Sequence, residues 1–217
     1  MAVEGIIFDH DGTLVDSEYI HFTIWQRLLE EFSISFTQDE YLTHYIGVPT
    51  LQAARHIIDT YSLDLSAEKL YEKNFSLTMK TLGNEPAPLM PGVEQVLDHC
   101  RAAGVRIAIA SGASRSEIFT SILGHTCLNN INLVSCREDV PRNKPAPDVY
   151  LLALSKLALN STQCVAIEDS QNGVKSAVAA GLHCIAVPNE FSHSQDFRQA
   201  HFVADNLLHA WEYLQTL

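Results

Sequence analysis

Positive charge is scarce in this chain: 14 lysines and arginines stand against 26 aspartates and glutamates, a net charge of −12 over 217 residues. No dense Lys/Arg run interrupts the acidic balance, which argues against a nucleic-acid surface or a face for anionic membranes. An anionic ligand would therefore need locally supplied positive charge. No CxxC pair is present among Cys100, Cys127, Cys136, Cys164 and Cys184, and their number is odd, so they read as small buried residues in a reducing compartment rather than a disulfide framework. The ten histidines form no HxH or HExxH spacing, which leaves a zinc site without support. No apolar run is long and clean enough to span a bilayer, and the opening "VEGIIFD" follows no basic leader, so a cytoplasmic protein is expected. Internal repeats and low-complexity tracts are also missing.

What is present is a recurrence of short apolar, β-branched runs: "VEGIIF", "VRIAIA", "INLVS", "CVAIE" and "HCIAV". Each is followed by small or polar residues and then a helical pattern, which predicts parallel strands buried on both faces in a doubly wound, Rossmann-like α/β sheet. "VEQVLDHCRAAG" and "VKSAVAAG" carry apolar residues at helical spacing and end in Gly104 and Gly181, both suited to closing a helix. Residues 15–89 break the alternation. "EYIHFTIWQRLLEEFSI", "TLQAARHIIDTYSL" and "AEKLYEKNFSLTMKTL" are helical amphipaths with no convincing strand between them. The expected organisation is an α/β core of 1–14 and 90–217 with a helical domain, 15–89, inserted after the first strand; "GNEPAPLMPG" serves as the returning connector.

The chemistry-bearing residues cluster after the runs. In "EGIIFDHDGTLVDSE", Asp9 and Asp11 lie two apart and can face one pocket, with Gly12 and Thr13 turning the chain. "RIAIASGAS" ends in Ser111, Gly112 and Ser114 ahead of a helix, whose free N–H groups can hold an anion. "PRNKPAPDVY" places Lys144 before a proline, and "CVAIEDSQNG" places Glu168 and Asp169 at the end of an apolar run. Each segment alone has a plainer reading: a DxDG turn, a serine helix cap, a solvated lysine, an Asp-capped helix. Taken together they fall on the one sheet edge where parallel α/β folds bind ligands. Carboxylates from two strands suit Mg²⁺, a neighbouring lysine and serine suit a phosphate, and a divalent cation would make the acidic crowding tolerable.

The ordered set "DHDGT", "ASG", "KP" and "EDS" resembles the four motifs of the haloacid dehalogenase superfamily, and the resemblance runs the length of the chain. The helical insert is similar to the cap of its β-phosphoglucomutase-like branch, whose members are mostly Mg²⁺-dependent phosphatases of small metabolites. The resemblance implies Asp9 as nucleophile forming an aspartyl-phosphate, and Asp11 as the acid that protonates the leaving alcohol and the base that activates water. It further implies Mg²⁺ held by Asp9, the Asp11 carbonyl, Asp169 and Glu168, with Ser111, Gly112 and Lys144 on the phosphoryl oxygens. Asp11 favours phosphate esters, because the dehalogenases of this superfamily lack it.

In the insert, His21 of "EYIHFTIW" and Lys73 of "EKN" match substrate-facing positions of the β-phosphoglucomutases, although a surface histidine and a solvated lysine read equally well. One departure matters more. After Gly47 and Val48 those mutases carry an arginine that grips a second phosphate; here stand Pro49 and Thr50, and Arg55 substitutes only if the local geometry differs. The expectation is a phosphatase of a small phosphorylated metabolite, a sugar or polyol phosphate, with no nucleic-acid or membrane partner. No oligomer signal is legible, and a monomer fits the composition. The rivals are a sugar phosphomutase and, from another class, a phospho-accepting signalling module. The latter has no need of the insert or of Asp11.

Overall fold

Strand β1 (Gly5–Phe8) is buried along its whole length, as a strand must be when helices cover both faces of its sheet. The computed structural model describes residues 3–217. It shows β2 (Arg106–Ala110), β3 (Val134–Ser135), β4 (Cys164–Glu168), β5 (His183–Ala186) and β6 (Phe202–Val203) joined to β1 in one sheet of order β3-β2-β1-β4-β5-β6. Every pairing is parallel. The order reverses between β1 and β4, so the crevice at their carboxyl ends is the natural ligand site.

Alternation along the strands sorts the core into two unlike halves. Ile6 and Phe8 join Ile109, Val165, Ile167 and Ile185 on one face, which is covered by α5 (Val93–Ala102), α6 (Arg115–Gly124) and α9 (Leu207–Leu214). Ile7 points the other way, among Ala108, Ala110, Ala166, Cys184 and Ala186. These small side chains let α7 (Asp148–Leu157) and α8 (Gln171–Ala179) pack there. A large aliphatic or aromatic side chain fully buried in such a core contributes about 1.5–3 kcal/mol.

The helices of the insert, α1 (Glu18–Glu30), α2 (Gln38–His44), α3 (Thr50–Tyr61) and α4 (Ala67–Asn84), enclose a third apolar cluster of their own, centred on Phe22, Trp25, Leu29, Phe36, Ile57 and Leu70. The chain enters and leaves this bundle along two segments that pair: Val15 bridges Leu89 antiparallel, Asp16 donates its N–H to the Pro88 carbonyl at 2.7 Å, and Met90 donates to Leu14 at 3.0 Å.

The five expected strands are present, but "INLVS" narrows to Val134–Ser135. Neither β6 nor α2 was expected; α2 buries one residue, Tyr41, and β6 is two residues at the sheet edge. Helix α7 begins at Asp148, three residues beyond Pro145.

Candidate active site

Asp9 directly follows β1, and Glu168 ends β4, the two strands that flank the crevice. Asp9, Glu168 and Asp169 each bring one carboxylate oxygen into a group whose members lie within 4.8 Å of one another, and all three residues are buried. Lys144 arrives from the segment before α7 and bridges two of them, with Nζ 2.6 Å from Asp9 Oδ1 and 2.5 Å from Glu168 Oε1. Glu168 also accepts the Tyr150 hydroxyl at 2.8 Å and the Ser170 hydroxyl at 3.2 Å. Asn189 fixes Asp169 by donating to its Oδ2 at 2.9 Å, while the same amide reaches the Gly12 carbonyl at 3.1 Å.

Two glycines are required by this packing. Gly12 has φ +75°, and a Cβ on it would come within 2.3 Å of Asp169 Oδ2. At Gly173, in the first turn of α8, a Cβ would lie 1.9 Å from the Glu168 carboxyl group. The "DHDG" and "EDSQNG" glycines thus let two acidic segments approach across the crevice.

Asp11 faces the same cleft from the other side. It accepts the Ser17 hydroxyl at 2.6 Å and the Ser111 hydroxyl at 3.5 Å, and His21 Nε2 stands 4.0 Å from its Oδ1. His10, almost wholly buried, puts Nδ1 3.2 Å from the same oxygen. Ser111 accepts the Ala113 N–H at 3.0 Å, and Asn143 donates to the Gly112 carbonyl at 3.1 Å. Ser114 instead caps α6 in a reciprocal pair with Glu117, so its hydroxyl closes the helix rather than holding an anion.

The charges of the group are strained. Burial, then the Glu168 charge, pushes Asp9 up to about 7 against the opposing pull of Lys144. Burial and the Asp9 charge likewise hold Asp169 well above the usual carboxylate range. Burial would raise Asp11 too, yet His10 and His21 outweigh it and hold Asp11 well below that range. His21 rises to about 9: burial opposes its charge, but the nearby negative charges of Asp11 and then Glu18 prevail. Lys144 keeps its proton, since Asp9 and Glu168 overcome the cost of its burial. One lysine cannot compensate three buried carboxylates if all ionise, which is why two of them resist doing so, and the hard oxygen donors fit a small divalent cation such as Mg²⁺.

The cleft is roofed by the insert, with Trp25, Tyr41, Asn74 and the Ile46–Thr50 segment on its wall. His21 lines it as expected. Lys73 does not. Its Nζ lies 2.6 Å from Glu31 on the outer side of the insert, and the buried neighbour Asn74 takes the inward position. Consecutive helical residues diverge by roughly 100°, so only one of the pair can face the cleft. Arg55 is equally distant from the role considered for it: it pairs with Glu68 at 3.8 Å, both side chains exposed. The structure adds cleft residues to which sequence reasoning gave no role: Glu18, one of the crowded acidic residues after the first strand, which accepts the Tyr41 hydroxyl at 2.6 Å, and Asn143 and Arg137. Arg137 had a readable signal, since it follows a strand at the same sheet edge that singled out Lys144.

An α/β sheet with an acidic triad and a lysine at its topological switch, under a helical cover, defines a hydrolase of the phosphotransfer type. Residues 6–187 match the family model of the haloacid dehalogenase-like hydrolases, and the chain belongs to that family. It is 32% identical over 186 residues to the fructose-1-phosphate phosphatase YqaB of Escherichia coli, covering 84% of this chain and 95% of that one. It is also 28% identical to the protein CbbY of Rhodobacter capsulatus, over 92% of each chain. The β-phosphoglucomutase of Clostridium difficile shares the architecture at 19% identity, with a TM-score of 0.82 over 99% of this chain and 96% of that one. The fold is of this β-phosphoglucomutase-like type, and the enzyme class is that of a phosphatase.

Proposed function

We propose that the protein is a Mg²⁺-dependent phosphatase of a small phosphorylated metabolite, a sugar or polyol phosphate, working through an aspartyl-phosphate on Asp9. The observation that carries this reading is the buried Asp9, clamped by Lys144 beside Glu168 and Asp169 and faced by Asp11 across the cleft. The similarity to YqaB supports the sugar-phosphate class.

Asp9, Asp169 and Glu168, with the Asp11 carbonyl, would hold Mg²⁺, which when bound neutralises phosphate charge and lets Asp9 be anionic at neutral pH. Lys144, Ser111 and the Gly112 segment bind the phosphoryl oxygens. Asp9 attacks phosphorus, and the bond to the substrate oxygen breaks. The departing alcohol takes a proton through Asp11, which in the resting site is ionised and draws its proton from the histidines beside it, His10 at 3.2 Å and His21 at 4.0 Å. Water then attacks the aspartyl-phosphate while Asp11 accepts its proton, releasing phosphate and regenerating Asp9.

Residues 15–89 act as the cap in this reading, a division supported by their separate apolar cluster and by the paired segments at Val15 and Leu89. A reducing, cytoplasmic setting fits the scattered thiols, and among the described residues no helix is long and apolar enough to cross a membrane. The test is phosphate release from a panel of sugar and polyol phosphates with Mg²⁺; no release from any of them would overturn the reading. Glucose 1-phosphate with a trace of its 1,6-bisphosphate separates the mutase rival. Phosphate with little glucose 6-phosphate is expected, because Pro49 and Thr50 occupy the mutase's arginine segment. A signalling module would instead accumulate the acyl phosphate without turnover.

A further inference from the structure

The cleft wall is rich in carboxylates, with Asp9, Asp11, Glu18, Glu117 and Asp169 on it, and two cations of permanent charge, Lys144 and Arg137. Lys144 is paired with Asp9 and Glu168, and its remaining donor is assigned above to the transferring phosphate. Arg137 is not so engaged. It stands in the turn after β3, anchored by its backbone N–H on the Ala113 carbonyl at 3.1 Å. Its guanidinium leans across to the cap, donating to the Tyr71 hydroxyl at 3.1 Å, with its centre 5.9 Å from that ring. Among the described residues its carboxylate neighbour is Glu138, at 3.8 Å and about half exposed, too long for a hydrogen bond. The Tyr71 hydroxyl takes one donor of five, so the fork keeps most of its hydrogen-bonding capacity and its charge. The side chain is 26% exposed, partly desolvated and still reachable from the cleft.

We propose that Arg137 is a specificity residue that binds a second anionic group on the substrate, remote from the transferring phosphate. The planar fork suits a carboxylate or a phosphate equally, and Tyr71 holds it in place from the cap side. The arrangement supplies a distal cation although Pro49 and Thr50 replace the mutase arginine, while Arg55 and Lys73 point elsewhere. This inference rests on the phosphatase reading above.

Two matched pairs of esters test it: fructose 1,6-bisphosphate against fructose 1-phosphate for a phosphate, and 6-phosphogluconate against glucose 6-phosphate for a carboxylate. In at least one pair the parent should favour the doubly anionic ester about tenfold or more in kcat/KM, the scale of one charge-assisted contact. Arg137→Gln should bring that ratio close to one while leaving the singly anionic ester and p-nitrophenyl phosphate within about threefold of the parent, and Arg137→Lys should restore part of the preference. The pair that shows the preference identifies the group. Ratios near one in the parent, or an equal loss on every ester in Arg137→Gln, would overturn the proposal and leave Arg137 as a core-to-cap latch. Absence of phosphate release from all five compounds would strike the phosphatase reading instead. Calorimetric titration of the same four sugar esters onto the parent and Arg137→Gln proteins would then still decide the role of Arg137.

Discussion

The two walls of the cleft are built by different rules. On the sheet side, Asp9, Glu168 and Asp169 are buried, Lys144 nearly so, and all are tied to one another or to Tyr150, Ser170 and Asn189, so their positions are set together. On the cap side the wall is mostly apolar or neutral, and away from the entry and exit segments, where Ser17 donates to Asp11, its hydrogen bonds to the core are few and partly exposed: Arg137 to Tyr71, and Asn172 to the Gly47 carbonyl at 3.3 Å. A rigid, charged floor suits the common chemistry of phosphoryl transfer, and a loosely tethered roof suits discrimination and movement. The contrast can be broken residue by residue.

The floor should give the largest effect. Asp9→Asn removes the proposed nucleophile and should lower phosphate release at least about a thousandfold, since loss of a nucleophile removes a covalent route entirely. The fold should survive, because the substitution relieves charge in an overcrowded group whose burial already resists ionisation. Near-UV circular dichroism checks the second point, and turnover within a few-fold of the parent would remove Asp9 from the mechanism.

Next comes the metal. Mg²⁺ that binds only the folded group should stabilise the parent by about 2.7 kcal/mol at a hundredfold excess over Kd, roughly 5–10 °C in Tm for a chain of this size. In Asp169→Asn the Mg²⁺-dependent rise should be largely lost. Equal melting of the parent in chelator and in Mg²⁺ would break the argument from the crowded carboxylates. Ca²⁺ should bind yet support little turnover, as its longer, looser coordination misplaces Asp9.

His21 sits where roof meets floor and gives a pH test. Its folded pKa of about 9 lies above the ordinary 6.5, so its pairing with Asp11 stabilises fully below about 6.5 and fades as pH rises through about 9. The parent should exceed His21→Gln by about 1–3 kcal/mol at pH 6 and by little at pH 10, measured in chelator by thermal melting. A difference that does not change with pH would mean that His21 carries no extra proton.

The same two walls differ in how far the sequence disclosed them. Floor residues follow apolar strands, and a strand buried on both faces is an unmistakable run; Asp9, Lys144, Glu168 and Asp169 were legible because a parallel sheet sends every strand end to one edge. What escaped was short or weakly patterned. Helix α2 buries Tyr41 alone, β6 has two residues, and "INLVS" pairs over Val134–Ser135 only. Roof residues carry no such register signal. A helix turns a one-residue error into a different face, which is why the inward position fell on Lys73 when Asn74 holds it.

That misplacement supplies the smallest expected effect and the sharpest comparison. Lys73→Ala removes an exposed pair with Glu31, worth at most about 1 kcal/mol of stability, and should leave kcat/KM for sugar phosphates and for p-nitrophenyl phosphate within about twofold of the parent. Asn74→Ala, one residue on, empties a buried amide position on the cleft wall, where Asn74 Oδ1 also meets the Thr78 hydroxyl at 3.5 Å. If Asn74 hydrogen-bonds a sugar hydroxyl as the cap closes, its loss should cost up to about tenfold in kcat/KM for the preferred sugar phosphate and almost nothing for the aryl ester, which has no hydroxyl to offer. A loss in Lys73→Ala confined to the sugar substrate would mean that α4 rotates or the cap reseats in the working enzyme. Equal losses on both esters in Asn74→Ala would place that residue in the packing of the roof, with substrate reading left to Arg137 and His21.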